Sequence, residues 1–215
     1  MRMFDLTGRV AVVTGGNGGI GLGMAEGLAQ AGAAVVIGAR NAAKNEAAVA
    51  RLTALGAKAV AVPTDLRDEA QCRGLIAAAA DHFGRLDILV NNAGISYRKQ
   101  PQDYTLAEWT DVIETNLTAA FVCSHAAYPH FVAAGGGKVI NIGSLMSILG
   151  SPFAVAYAAS KGGIMQMAKS LTCAWAKDNI QVNTILPGWI DTDLSRSARQ
   201  QVQGLHERGL ARTPA

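Results

Sequence analysis

Six short apolar runs punctuate the chain: Arg9 to Val13, Ala34 to Ala39, Ala59 to Pro63, Leu86 to Asn91, Lys138 to Ile142 and Gln181 to Leu186. Their length and β-branched content predict strands. Between them apolar positions recur every three or four residues, as in the stripe of Leu22, Ala25, Leu28 and Ala29. The same spacing predicts helices near Ala43 to Leu55, Asp68 to Phe83, Leu106 to Ala134 and Pro152 to Lys177. Ser151 and Pro152 are suited to cap and open the last of these. Strands that are apolar throughout, alternating with helices, require a parallel sheet with right-handed crossovers and helices on both faces. The expected fold is therefore α/β, a doubly wound sheet in three α/β/α layers. No linker or low-complexity tract interrupts residues 1–215, so they are expected to form a single domain.

Composition narrows the function. Half the chain is hydrophobic and 16% is charged, which suits a dense core and excludes disorder. The net charge of +3 comes from scattered Lys and Arg, leaving no basic footprint for nucleic acid. No signal peptide or apolar span of about 18 residues is present, so no membrane association is expected. Cys72, Cys123 and Cys173 form no CxxC or Cys/His cluster, and each falls in a predicted helix. Reduced, buried thiols and a cytoplasmic location follow. His82, His125, His130 and His206 are scattered without ligand spacing, so no metal is expected.

Two stretches carry chemistry. After the first strand comes Thr14-Gly-Gly-Asn-Gly-Gly-Ile-Gly21, and a helical stripe follows it. Gly16, Gly18 and Gly21 satisfy the dinucleotide fingerprint GxGxxG of the Rossmann fold, and Gly15, Gly19 and Gly21 satisfy a TGxxxGxG form. Either way the backbone at Gly15, Asn17, Gly18, Gly19, Ile20 and Gly21 can approach a pyrophosphate, whose charge the N–H groups of a helix N-terminus meet. An NAD site presents a carboxylate at the end of the second strand. This chain has Gly38-Ala39-Arg40-Asn41 there, and Arg40 suits a 2′-phosphate, so NADP(H) is expected over NAD(H). The second stretch is Tyr157-Ala-Ala-Ser-Lys161, which places a phenol and an ammonium one helical turn apart. A cation so placed favours the phenolate and tunes Tyr157 as an acid/base.

Taken together these motifs resemble the short-chain dehydrogenase/reductase family over nearly the whole chain. The resemblance rests on the glycine loop, Asp65-Leu66, Asn91-Asn92-Ala93-Gly94, Asn116, Ser144, Tyr157 with Lys161, and Pro187-Gly-Trp-Ile-Asp-Thr192, in that order. It implies a catalytic tetrad. Tyr157 protonates the carbonyl oxygen in reduction, Lys161 lowers its pKa and holds the nicotinamide ribose, Ser144 donates to the substrate oxygen, and Asn116 holds a water of a proton relay. Read alone, Ser144 could cap a turn and Asn116 could mark a helix kink. The resemblance also implies cofactor contacts from Asp65 and Leu66 to adenine and from Asn91, Ala93 and Gly94 to the adenosine ribose. Pro187, Gly188, Ile190 and Thr192 would flank the nicotinamide, with Tyr157 and Lys161 beside it, while Thr14 is the more structural residue.

The substrate wall implied by the resemblance runs from Ser96 to Lys99 and Leu145 to Leu149, with Phe153 and Trp189. Ala93 to Arg98 resembles members acting on sugar acids, in which Arg98 would take a carboxylate; 3-oxoacyl thioesters share the general motifs. The expected activity is interconversion of a secondary alcohol and a ketone. An inactive nucleotide-binding regulator on the same fold is the competing expectation, and the intact tetrad argues against it. Homo-oligomerisation through the two long helices is expected. The sequence ends at Leu210-Ala-Arg-Thr-Pro-Ala215, short of the last helix and strand usual in the family. An incomplete C-terminus is expected, with residues 192–215 as a substrate lid and an exposed edge on the strand at Gln181 to Leu186.

Overall fold

The computed structural model describes residues 4–202 and 204–211. Six strands, β1 (Val10–Thr14), β2 (Ala34–Ala39), β3 (Ala59–Pro63), β4 (Ile88–Asn91), β5 (Gly137–Ile142) and β6 (Ile180–Ile185), form one parallel sheet. Their order is β3-β2-β1-β4-β5-β6, which reverses direction between β1 and β4. The doubly wound α/β architecture is thus as expected, and β2 and β3 have the expected bounds.

Period-two alternation divides the core between the two faces. Val10, Val12, Val36 and Leu89 pack with α3 (Glu69–Phe83), α5 (Ala119–Ala133) and Ala168 of α6 (Val155–Trp175). Their neighbours Ala11, Val13, Ile37 and Val90 turn the other way, onto α1 (Gly19–Gln30) and α2 (Ala42–Ala54). Both faces of the central strands are dry, which explains why they read as continuous apolar runs. Each fully buried side chain of this size, such as Ile37 or Leu89, stabilises the fold by about 2 kcal/mol.

Two long helices depart from the sequence expectation. The run Leu106 to Ala134 is α4 (Leu106–Ile113) and α5 joined by a π turn at Glu114–Thr118. The helix expected from Pro152 starts at Val155 with Ala154 as its uncapped N-cap. Phe153 instead accepts a backbone hydrogen bond from Lys99 at 3.1 Å, which draws the Ser151–Pro152 segment toward a neighbouring loop. After β6 come α7 (Asp193–Gln201) and α8 (Leu205–Ala211). The lid expected over 192–215 therefore includes two helices, with Gln203 and residues 212–215 outside the described residues. Among the described residues β6 is paired on one side only, and Ile185 is half-exposed. Cys72 and Cys123 are buried as expected, whereas Cys173 is exposed, because it falls on the outer face of α6. No helix among the described residues is long and apolar enough to cross a membrane.

Candidate active site

The strand order reverses between β1 and β4, and a parallel sheet opens a crevice beyond its carboxyl ends at such a point. Here that crevice is a cleft of about 530 Å³. One end is made by the glycine loop, where Gly15, Asn17, Gly18, Gly19 and Ile20 line the cleft. Gly15 has a φ of +63°, a conformation that a side chain disfavours. Gly21 lies behind the loop, and a Cβ there would come within 2.5 Å of the Gly15 carbonyl oxygen. No side chain caps α1, so its first N–H groups remain available at the loop.

Side-chain hydrogen bonds hold this loop in place, one set of them through Asn45, which belongs to none of the sequence motifs. Asn92 Nδ2 donates to the carbonyls of Thr14 at 2.9 Å and Gly15 at 3.2 Å. Thr14 Oγ1 accepts from the N–H groups of Asn92 and Ala93, in keeping with a structural role. Asn17 Nδ2 donates to Asn45 Oδ1 at 2.7 Å, and the buried Asn45 amide donates to the Ala39 carbonyl. Strand alternation offered a signal for Asn92: if Asn91 points into the core, its neighbour points out. Asn91 does point in, donating to Ser124 Oγ and Asn141 Oδ1 behind the sheet. Its side chain is thus engaged behind the sheet, and of the three expected residues Ala93 and Gly94 line the cleft.

At the end of β2, Arg40 lines the cleft and makes no ion pair among the described residues. Lys44, one turn into α2, also lines it and reaches Asp193 of α7 at 3.3 Å. Asp65 and Leu66 form the neighbouring wall. Arg67 grips the Asp65 carboxylate at 3.1 and 2.7 Å, and these bonds bring its pKa down to about 2.

The other end of the cleft brings the expected catalytic groups together. Ser144 ends the β5 connection in extended backbone, and its Oγ accepts from Met146 N–H at 3.1 Å, so it caps a turn while facing the cleft. Tyr157 and Lys161 stand one turn apart on α6, with Lys161 Nζ 5.6 Å from the Tyr157 ring centroid. Lys161 is almost wholly buried and donates to the Ile142 carbonyl at 2.5 Å. Burial brings its pKa down to about 8. Burial also raises the Tyr157 phenol above its ordinary value, against smaller opposing pulls from Ser144 and the Arg98 charge. Burial thus outweighs the pulls of Ser144 and Arg98 on the phenol. Tyr157 rests with its proton on.

Asn116 sits in the π turn, buried, with its amide fully engaged. Its Oδ1 accepts from Ile95 N–H at 2.8 Å, and its Nδ2 donates to the Ile95 carbonyl and to Ser160 Oγ, both at 3.0 Å. It clamps the loop after β4 to α6 and is a helix irregularity with a tertiary purpose. A Cβ on Gly94 would lie 3.3 Å from Asn116 Oδ1 and 3.5 Å from Lys161 Nζ, so the bare glycine keeps the gap between them open. Ser160 and Ser147 escaped the sequence reading. Ser160 Oγ donates to the Tyr157 carbonyl and Ser147 Oγ to the Lys161 carbonyl, each within 2.8 Å, fixing the backbone at both positions.

Arg98 faces Tyr157 from the opposite wall, with its guanidinium carbon 5.7 Å from the ring centroid. It is half-buried, makes no ion pair among the described residues, and desolvation lowers its pKa. Pro187, Gly188, Trp189, Ile190 and Thr192 complete the rim. Thr192 caps α7 and stands against the glycine loop, its Cγ2 being 3.2 Å from where a Gly19 Cβ would be. Of the expected substrate wall, Arg98, Leu145, Met146 and Trp189 line the cleft, while Ser96, Tyr97, Lys99, Ser147, Ile148, Leu149 and Phe153 do not. Among the described residues no group of three or more His, Cys, Asp or Glu could hold a metal ion.

These features are those of a dinucleotide-dependent oxidoreductase fold, and comparison with known proteins agrees. The model of the short chain dehydrogenase family matches residues 9–203. The chain belongs to that family of oxidoreductases. It is 41% identical over 213 residues to 2-dehydro-3-deoxy-D-gluconate 5-dehydrogenase of Escherichia coli strain K12, covering 99% of this chain and 83% of the relative. It is 36% identical over 193 residues to gluconate 5-dehydrogenase of Gluconobacter oxydans strain 621H, covering 90% and 75% of the two. Among solved structures, a short-chain type dehydrogenase/reductase from Mycobacterium marinum superposes with a TM-score of 0.89 at 30% identity, covering 92% of this chain and 79% of the other.

Proposed function

We propose that this protein interconverts a secondary hydroxyl and a ketone on a sugar acid, with NADP(H) as its cofactor. The observation that carries the reading is Arg98, a half-buried guanidinium beside the proton donor Tyr157, with no acidic partner among the described residues. An unpaired, desolvated cation in a cleft is stabilised by an anion that arrives with the ligand, and a carboxylate matches its planar fork. Several relatives bear the names of gluconate or keto-gluconate oxidoreductases, which supports the same class.

The residues fit a nicotinamide dinucleotide. Glycines line the loop where side chains would obstruct the backbone, the N-terminus of α1 is uncapped, and Arg40 is open to a 2′-phosphate. When bound, the cofactor supplies the hydride in reduction and accepts it in oxidation. In reduction Tyr157 gives its proton to the carbonyl oxygen while Ser144 donates a hydrogen bond to that oxygen, so developing negative charge is met by two aimed groups. Tyr157 holds that proton at neutral pH, as any phenol with a pKa of ~10 or above does, which readies the resting protein for reduction. Oxidation needs the phenolate, and the nearby Lys161 and Arg98 charges would stabilise it once formed. Asn116, Ser147 and Ser160 hold Tyr157 and Lys161 in register. A homo-oligomer fits the half-exposed Phe121 and Val132 of α5, and sedimentation velocity reads that state directly.

The test is a fluorescence titration with NADPH and NADH, followed by turnover of 5-keto-D-gluconate by the unaltered protein and by Tyr157→Phe. Tighter binding of NADPH is expected, with turnover about 10³-fold lower in the variant and cofactor binding retained. Equal turnover by Tyr157→Phe, or no binding of NADPH, would defeat the reading.

A further inference from the structure

The loop that carries Arg98 is tied to the adenine end of the cleft by side chains that the reaction itself does not use. Tyr97 Oη donates to Asp111 Oδ2 on α4 at 2.7 Å. The other oxygen of Asp111 accepts from Arg67 Nη1 at 3.4 Å, and Arg67 holds both oxygens of Asp65 at 3.1 and 2.7 Å. An unbroken chain of hydrogen bonds thus runs Tyr97, Asp111, Arg67, Asp65, from the residue next to Arg98 to the wall that would meet adenine.

The grip on Tyr97 is two-handed. Tyr104 Oη donates to the Tyr97 carbonyl at 2.6 Å, and that carbonyl belongs to the peptide bond leading into Arg98. On the far side Lys99 N–H donates to the Phe153 carbonyl, and Lys99 Nζ pairs with Glu108 Oε1 at 2.5 Å. The backbone on both sides of Arg98 is therefore anchored, while its guanidinium has no ion-pair partner among the described residues. Asp111 is mostly buried, at 22% side-chain exposure, where a short charge-assisted bond is stronger than in water. Its carboxylate also raises the pKa of Tyr97, as acceptance of the phenolic proton requires.

We infer that Tyr97 and Asp111 are positioning residues that aim Arg98 at the substrate carboxylate and couple it, through Arg67, to occupation of the adenine end at Asp65. The inference rests on the reading of Arg98 as the carboxylate anchor. An adenine amino group that draws on Asp65 takes part of the carboxylate now shared with Arg67. Arg67 then turns its charge toward Asp111, whose long contact at 3.4 Å has room to tighten, and that second contact fixes the Asp111 carboxylate in the orientation that meets Tyr97 Oη. Cofactor and acid should each bind more tightly in the presence of the other, by the same factor.

The experiment compares Tyr97→Phe, Asp111→Asn and Arg98→Ala with the unaltered protein. Three quantities are measured: KM and kcat for 5-keto-D-gluconate with NADPH, the Kd of NADP+ with and without the keto acid, a pair that cannot react, and the Tm. Tyr97→Phe should raise KM about tenfold with kcat within about twofold, and Asp111→Asn should do the same. In both, the tightening of NADP+ by the keto acid should disappear while the Kd of NADP+ alone and the Tm hold. A raised KM in Arg98→Ala with unchanged KM and coupling in Tyr97→Phe and Asp111→Asn would overturn the inference and leave the anchor standing. An unchanged KM in Arg98→Ala would remove the anchor and the inference with it. A loss shared by kcat, cofactor affinity and Tm would show a merely structural role and equally overturn it.

Discussion

The two ends of the cleft are built on opposite principles. At the glycine-loop end, β1 is buried along its whole length, and Asn92, Thr14, Asn17 and Asn45 tie the loop to its surroundings by buried or half-buried hydrogen bonds. Close approach of backbone to backbone leaves no room for a side chain at Gly21. At the other end, the rim formed by Leu145, Trp189, Ile190 and Leu194 leaves each of these apolar side chains more than a third exposed. The first end is over-determined by contacts that exist without a ligand. The second offers apolar surface and an unpaired Arg98 that await one, so shape is fixed where the cofactor would sit and left adaptable where the substrate would sit.

The sharpest way to break this comparison is Gly21→Ala. A single methyl there overlaps Asn92 and the Gly15 carbonyl, so a loss of about 3 kcal/mol of stability is expected, with cofactor binding lost as well. Urea unfolding at matched protein concentration reads it, and a variant of unchanged midpoint would show the loop to be looser than its contacts imply.

Lys161→Met probes the seam between the ends. In the folded protein Lys161 titrates at about 8, and an exposed lysine titrates near ~10.4, so the unfolded chain holds the proton more tightly. Burial of this amine therefore costs stability below about pH 8, and the cost falls as pH rises toward ~10.4. Allowing for the Ile142 carbonyl that loses its donor, Lys161→Met should gain about 2 kcal/mol at pH 7 and less at each step of alkaline pH, while turnover collapses. A Tm difference independent of pH would contradict the buried titration. Smallest is Trp189→Ala on the rim: stability should move by less than about 0.5 kcal/mol, with the change confined to KM. A large drop in Tm would mean that the rim is packed as tightly as the loop.

The same contrast governs what was legible in the sequence. The glycine loop, the strands around it and the Tyr157–Lys161 spacing rest on local rules of periodicity and backbone freedom, and these placed β2 and β3 to the residue. Features that depend on what arrives from elsewhere in the chain were not legible. Ser151 and Pro152 satisfy the local rules for a helix start, yet the bond from Lys99 to Phe153 holds this segment outside α6. The direction of the Tyr157 shift depends on how much protein closes around the phenol, a quantity no spacing reveals. Arg67 is two residues from Asp65, but its bridge to Asp111 spans 44 residues and had no local signature. Asn91 and Asn92 could not be apportioned between core and cleft until the register of β4 was known.

The π turn at Glu114–Thr118 has a consequence for anyone who edits this chain. An α-helix is a screw that advances about 100° per residue, and a π turn inserts one residue without a matching advance along the axis. It absorbs that residue between α4, which presents Asp111 and Glu108 to the substrate loop, and α5, which presents Ala127 and Phe131 to the core, so each helix keeps its face. Deleting one residue within 114–118 would give a more regular helix and a worse protein. The two halves would stay in step, because the turn absorbs the extra residue, but the widened turn from which Asn116 meets Ile95 and Ser160 together would be lost.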